Sequence, residues 1–393
     1  MDSTHRHDSS SPPVVLQVLP SLVTGGVERG TIEIAQAIAQ ADGVALVASA
    51  GGPMAAFVER AGGRHFTLPL KSKNPIGIWR NAARLEALIR AENVKIVHAR
   101  SRAPAWSAWL ACQRTGAHFV TTYHGAYSED LPLKRRYNAV MARGEIVIAA
   151  SLFIAGLVMA RHGVPPERTR VIPRGVDTAI YDPAIVVPDR LIRLSRAWRL
   201  PDGAPTIVLP GRLTSWKGHA VLLDAIARLQ RPDVCCVFVG SDQGRAAYTR
   251  SLLARAATLG IAEQVRLVGH CDDMPAAMML SDVVVHASTK PEAFGRVVIE
   301  AQAMGRPVVA ADLGGPVETV AHEVTGWRVP PGDPEALAAA IAYALSLDAE
   351  ARQALGERAR LSVPTVQAMQ DATLDVYEAV LAARLAAERG AGR

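Results

Sequence analysis

Four residues have types and spacing that could do chemistry: Arg212 and Lys217 in the stretch Gly211 to Gly218, and Glu292 and Glu300 in the stretch Pro291 to Ala301. The two cations stand just past a short apolar run and just before a helical pattern, at the sheet edge where anionic ligands of open α/β folds collect. A diphosphate held there without a metal needs two cations. The carboxylates straddle a helix start expected at Ala293, with Glu292 ahead of it and Glu300 about two turns in. Val297, Val298, Ile299 and Ala301 place Glu300 at least partly in the interior, where a carboxylate needs donors and sugar hydroxyls supply them in pairs. Each residue also has a plainer reading. Arg212 and Lys217 fit solvated loop charges, Glu292 a helix cap and Glu300 an ion pair at the edge of a core.

At 393 residues the chain exceeds what one hydrophobic core serves, so two domains are expected. Short apolar runs alternate with helical patterns: Val14 to Leu19, Val44 to Ala48, Lys95 to His98, Phe119 to Tyr123 and Glu145 to Ala150. The pattern restarts with Thr206 to Leu209, Val234 to Val239, Val265 to Val268, Val283 to His286 and Val308 to Ala310. Such runs are strands of parallel sheets covered on both faces. The expected fold class is α/β, with two doubly wound Rossmann-like halves whose strand ends face a cleft. The expected divisions are a disordered lead-in over 1–13, a first domain over 14–185, a second over 186–364 and a last helix over 365–393. Residues from 174 to about 205 read as irregular. Asn74 and Pro75 open a helix with Ile78, Ala82, Leu85 and Ile89 on one stripe. The apolar run Ile146 to Ala160 is too short to span a membrane and breaks at Ser151, which reads as a helix cap.

The first loop, Gly25-Gly26-Val27-Glu28-Arg29-Gly30, lacks the dinucleotide fingerprint, and Thr31 stands where a P-loop needs Lys. Its Gly pair either lets backbone approach a ligand at a helix N-terminus or makes a tight turn.

Taken in order, several short motifs resemble glycosyltransferase family 4. They are the Gly25-Gly26 loop, Tyr123-His124-Gly125, Ile172-Pro173-Arg174-Gly175-Val176-Asp177, Gly211-Arg212 with Lys217-Gly218, the E-x7-E pair Glu292 and Glu300, Gly314-Gly315 with Glu318, Thr325-Gly326, and Pro331-Gly332-Asp333-Pro334. Two positions depart from the family pattern: Arg174 replaces the usual Asn and Ala293 the common Gly. The resemblance implies a GT-B fold in which the second domain binds the nucleotide, the first binds the acceptor, and the last helix crosses back to the first domain. By it, Arg212 and Lys217 neutralise the diphosphate, Glu300 accepts from ribose hydroxyls and Glu292 faces the transferred sugar. Phe294 and Gly295 add backbone N–H groups at a helix N-terminus, and Gly25 and Gly26 lie against the phosphates. His124 contacts the donor sugar near the departing bond; a strand-end histidine bonded to backbone is the plainer alternative. The family retains anomeric configuration. No D-x-D triplet occurs, so no metal and no cofactor are expected beyond the nucleotide diphosphate sugar. The nearest likeness is to bacterial lipopolysaccharide-core enzymes, which makes mannose from GDP-mannose the first donor expected.

Residues 1–185 carry 21 Lys/Arg against 14 Asp/Glu, while 186–393 carry 22 against 23, so the excess positive charge sits in the first half. Arg100 and Arg102, past a strand end with Trp106 and Trp109 close behind, are the expected contacts to an anionic glycan or glycolipid acceptor. A merely solvated basic face fits equally. Lys134-Arg135-Arg136 beside Leu131 and Leu133 suits docking on an anionic bilayer. The four cysteines have no C-x-x-C spacing, and the first residues lack the apolar core of a signal peptide. A cytoplasmic protein is expected, at the inner face of the membrane if the docking reading holds. Two other classes compete: a sugar-nucleotide 2-epimerase on the same fold, which needs no acceptor, and a basic nucleic-acid-binding module suggested by a pI near 9.3. The second leaves Glu292 and Glu300 unexplained and has no nucleic-acid motif behind it, so no nucleic-acid partner is expected.

Overall fold

The structure, a computed structural model, describes residues 13–23 and 25–391. All but the last residue of the expected lead-in, 1–13, therefore lies outside the described residues. Two compact units emerge. One holds the chain through Ala150, Ala155–Ile172 and the chain from Met369 on; the other holds Ser151–Ile154 and Pro173–Ala368. The passage at Pro173 comes earlier than the division after residue 185 expected from the sequence.

The first unit is built on seven parallel strands: β1 (Val14–Val18), β2 (Val44–Ser49), β3 (Arg64–Thr67), β4 (Ile96–Ala99), β5 (His118–Tyr123), β6 (Ile146–Ala149) and β7 (Thr169–Val171). Their spatial order is β3-β2-β1-β4-β5-β6-β7. Helices cover both faces of the inner strands, and β4 and β5 are buried at every residue, their polar members included. One core of this unit gathers Val15, Ile34, Ile38, Ile96, Val120 and Ile148 with Met369, Val376, Tyr377 and Val380 from the helix Val366–Ala391. That helix is stitched down by polar bonds as well. The Gln370 amide donates to the Glu33 carbonyl at 2.7 Å, and the Tyr377 hydroxyl meets His98 Nδ1 at 2.7 Å.

The second unit repeats the design with six parallel strands: β8 (Thr206–Pro210), β9 (Cys235–Val239), β10 (Val265–Gly269), β11 (Val283–His286), β12 (Val308–Ala311) and β13 (Trp327–Val329), ordered β10-β9-β8-β11-β12-β13. In each sheet the order reverses once, between β1 and β4 and between β8 and β11. There the chain leaves two neighbouring strands in opposite directions, and the strand ends are left uncovered for a ligand. Pairing of Val283 with Ile207 and of Val284 with Val208 sets the register that brings the exits of β8 and β11 side by side.

Local chemistry explains the helix starts. Asn74 accepts from the Gly77 N–H at 2.6 Å and Pro75 takes the first helical position of Pro75–Ala91. Ser151 accepts from the Ile154 N–H at 3.1 Å where β6 hands over to Leu152–His162. Two differences from the sequence reading stand out. Residues 188–198, read as irregular, form a helix tied to the start of the helix Met274–Met279 by Arg190, whose guanidinium grips the capping Asp273 at 2.6 Å. The helix expected from Ala293 starts instead at Arg296, because Gly295, at φ +82°, takes the left-handed conformation at its cap. No helix among the described residues is long and apolar enough to cross a membrane.

Candidate active site

At the reversal between β8 and β11, three side chains, one from the loop after β8 and two from the end of β11 and the residues just past it, meet on one carboxylate oxygen. Glu292 Oε1 accepts from Lys217 Nζ at 2.6 Å, from His286 Nε2 at 2.7 Å and from Ser288 Oγ at 2.5 Å. A carboxylate with three donors on one oxygen stays ionised. Burial alone would raise its pKa, but the His286 imidazole and the Lys217 ammonium outweigh burial and hold it well below the usual carboxylate range. No donor among the described residues reaches the other oxygen, Oε2. Glu292 is thus a fixed anion with one free acceptor.

The loops are held by close backbone approach. Gly218, at φ +79°, ends the loop carrying Lys217 and caps the helix His219–Leu229. A Cβ on Gly218 would lie 1.8 Å from the Ala287 carbonyl oxygen, so only glycine lets the exits of β8 and β11 touch. The Thr289 N–H donates to the Trp216 carbonyl at 2.8 Å and closes the seam. On the far side the Gly315 N–H donates to the Glu292 carbonyl at 2.9 Å, and a Cβ on Gly315 would strike Phe294 Cα at 2.4 Å. Both Gly314 and Gly315 therefore serve the placement of Glu292.

The other expected donor-site residues fall around this centre. Arg212 is exposed directly after β8, with its guanidinium bonded to no described residue. Lys217 lies along Trp216, its Nζ 4.8 Å from the ring centroid. The Phe294 side chain is 4% exposed and belongs to the core, so only its backbone is available to a ligand. Gly295 caps the helix Arg296–Ala303, its carbonyl accepting from the Val298 N–H at 2.9 Å, and so stands at the positive end of the helix dipole. Glu300, 7% exposed, lies one turn into that helix, with Arg296 Nε at 3.5 Å from its carboxylate.

His219, beside Lys217, is fully buried with its ring edge-on to Phe238. Burial lowers its pKa to about 4, with the Thr214 backbone opposing and the Lys217 charge adding to the shift. The folded value lies below the unfolded 6.5, so protons favour the unfolded chain in that window. Its contribution is complete above pH 6.5 and falls by about 3 kcal/mol as the pH drops toward 4. Urea unfolding at pH 7 and pH 4.5 should show wild type losing about 2 kcal/mol more than His219→Phe. Equal losses would remove His219 from the acid response.

In the first unit, Gly25 takes φ +144° at the cap of the helix Gly26–Gln40, just past β1. His124 follows β5, half-buried, with its backbone bonded to the Tyr127 hydroxyl. The expected acceptor arginines are placed differently from the sequence reading. Arg100 is only 2% exposed and lies beneath the surface near Tyr377 and Glu33, its Nε and Nη2 buried without a hydrogen-bond partner. Arg102 is committed within the unit, donating to Asn138 Oδ1 at 2.8 Å and stacking 3.9 Å from the Tyr127 ring centroid. Neither presents a free guanidinium at the surface. The residues missed were His286 and Ser288. A titratable residue closing the run Val283-Val284-Val285-His286 was the available signal.

Comparison with known proteins agrees with this geometry. A family model described as Glycosyltransferase Family 4 matches residues 24–180, and one described as Glycosyl transferases group 1 matches residues 192–362. A D-inositol 3-phosphate glycosyltransferase of Jonesia denitrificans is 33% identical over 67% of this chain and 66% of its own length. The chain thus spans just under two thirds of that curated relative. Among solved structures, a glycosyltransferase from Rickettsia africae is 36% identical with a TM-score of 0.88, covering 95% of this chain and 99% of its own. Anabaena HepE in complex with UDP-glucose is 26% identical with a TM-score of 0.80, covering 93% of this chain and 99% of its own. By fold, by matched motifs and by these likenesses, the chain belongs to the GT-B glycosyltransferases, with a family 4 domain followed by a group 1 domain.

Proposed function

We propose that this protein is a retaining hexosyltransferase that takes its sugar from a nucleoside diphosphate sugar, without a metal ion, and passes it to an anionic glycan or glycolipid acceptor. The observation that carries the reading is the pairing of Lys217 with Glu292 at 2.6 Å beside the exposed Arg212, at the reversal between β8 and β11. Lys217 and Arg212 supply fixed positive charge where a departing diphosphate becomes more negative, and the N-terminus of Arg296–Ala303 adds the positive end of its dipole. Glu300 takes the ribose hydroxyls and Oε2 of Glu292 a sugar hydroxyl. In the reaction the bond from C1 to the phosphate oxygen breaks and a bond to the acceptor oxygen forms on the same face. The acceptor proton passes to the leaving phosphate, and His124 is the residue of the first unit that we assign to the donor sugar.

The HepE complex supports UDP-glucose as a donor to test beside GDP-mannose. The name of the Jonesia relative supports an acceptor bearing phosphate. A thermal-shift panel of UDP-glucose, GDP-mannose and ADP-glucose tests the donor; at one hundred times Kd the bound sugar nucleotide adds about 2.7 kcal/mol. No shift with any of them would sink the reading, and loss of transfer in EDTA with recovery in Mg2+ would remove the metal-free mechanism.

Membrane contact is part of the same proposal. Leu131 and Leu133 are 55% and 80% exposed at the start of the helix Pro132–Asn138, next to Lys134, Arg135 and Arg136. Apolar anchors beside a basic stripe suit an anionic leaflet and support a location at the inner face of the cytoplasmic membrane. Flotation with phosphatidylglycerol vesicles at moderate salt should carry the protein up, and Leu133→Asp should leave it at the bottom. A protein that never floats refutes this contact.

A further inference from the structure

We infer that His286 and Ser288 are positioning residues that hold Glu292 against the sheet, so that Oε2 keeps its aim at a sugar hydroxyl when Lys217 turns to the diphosphate. The inference rests on the donor reading above and concerns how that site stays ordered while its cation is shared.

Lys217 has two claims on it. In this structure its ammonium sits on Glu292 Oε1 at 2.6 Å, yet the proposed function gives it to the phosphates. A lysine stem with four rotatable bonds can move, and a carboxylate that depended on it would lose its orientation at the moment the sugar binds. Glu292 does not depend on it. His286 is the last residue of β11, its side chain 2% exposed, and its Nε2 reaches Oε1 at 2.7 Å. An ionised carboxylate only accepts, so Nε2 must carry the proton and donate. The ring's Nδ1 is buried and meets no partner, which leaves the hydrogen bonding of the ring to Glu292 and to Ser288 Oγ, 3.3 Å away. Ser288 donates to the same Oε1 at 2.5 Å.

Both donors converge on one oxygen and leave the second, which is the arrangement a positioning pair needs. Had they bridged both oxygens, no acceptor would remain for substrate. The backbone of Glu292 is pinned separately by Gly315, so what the pair controls is the side-chain torsion rather than the loop. Their removal should therefore act on recognition of the sugar and spare recognition of the nucleotide.

Calorimetry with UDP, UDP-glucose, GDP and GDP-mannose on wild type, His286→Ala, His286→Gln and Ser288→Ala tests this. For the base that wild type binds, His286→Ala should weaken the nucleotide sugar about tenfold and change the nucleoside diphosphate less than about twofold. Ser288→Ala should do the same to a smaller extent. His286→Gln, whose amide nitrogen can stand where Nε2 does, should recover most of the loss. A purely structural histidine would instead lower both affinities together, and that result, or an unchanged ratio in both His286→Ala and Ser288→Ala, overturns the inference while leaving the donor reading intact. Wild type binding none of the four nucleotides would overturn both.

Discussion

Lys217→Ala should lower sugar transfer by about 10²–10³-fold, a loss typical of removing one fixed charge from a developing anion. The fold should survive, because Glu292 keeps His286 at 2.7 Å and Ser288 at 2.5 Å on Oε1 after the ammonium is gone. The pair is also nearly shielded from solvent, with Lys217 and Glu292 side chains 11% and 14% exposed, so water replaces the lost cation poorly. Most of the loss belongs in kcat, since the diphosphate is more negative in the transition state than in the ground state. Lys217→Arg should not rescue fully, because the lysine stem lies against Gly211, with 3.5 Å to where a Cβ there would stand. Initial rates with the donor found in the thermal-shift panel decide the matter. Transfer within about threefold of wild type would mean that Lys217 is a partner of Glu292 and nothing more.

Why some of this site is legible in the sequence and some is not has physical causes. Lys217 and Glu292 each follow an apolar strand and precede a glycine that caps a helix, Gly218 in one case and Gly295 in the other. Strand, loop, glycine and helix are local patterns, and the sheet order then brings the two loops together. His286 shares that locality, yet a histidine at a strand end reads equally as a core residue until its partner is known. Arg100 fails for the opposite reason. Tyr377, which lies beside it, is far away in sequence, on a helix that folds back to cover His98 and its neighbours. No local pattern near Arg100 announces that cover, and a charged residue past a strand end is naturally read as exposed. Arg102 was likewise claimed by Asn138 and Tyr127, on a loop and helix that the sequence places only loosely.

The fold divides along similar lines. Strands buried on both faces, such as Val44–Ser49 and Val283–His286, announce themselves as unbroken apolar runs. The strands absent from the sequence reading are β3, β7 and β13, all at sheet edges. Each carries a cation, Arg64, Arg170 or Arg328, because an edge strand has solvent along one side, and none exceeds four residues. The helix Pro188–Trp198 was lost among its own arginines, with Leu191, Leu194 and Trp198 as its apolar face. Charge at the rim, rather than any weakness of the core pattern, hides these elements.

Gly218→Ala should be among the most damaging single methyl additions to this chain, and a control separates its two costs. Gly203 has φ +71° and Gly218 φ +79°, so alanine meets the same left-handed penalty at both, about 1–2 kcal/mol. At Gly203 an added Cβ has nothing within 4 Å, whereas at Gly218 it lies 1.8 Å from the Ala287 oxygen and 2.6 Å from its carbon. Those atoms are backbone, held by β11 on one side and by the Thr289 bond to Trp216 on the other, and cannot rotate away. The loop must separate from its neighbour at a further cost of about 2–3 kcal/mol. Because Ala287 lies between His286 and Ser288, the same displacement pulls the donors off Glu292, and transfer should fall with stability. Urea unfolding of the two variants, read beside their transfer rates, should show Gly203→Ala active with a modest stability loss and Gly218→Ala both unstable and nearly inactive. Equal losses of stability would mean that the exits of β8 and β11 can part freely, and the tight seam would then have no part in holding the site.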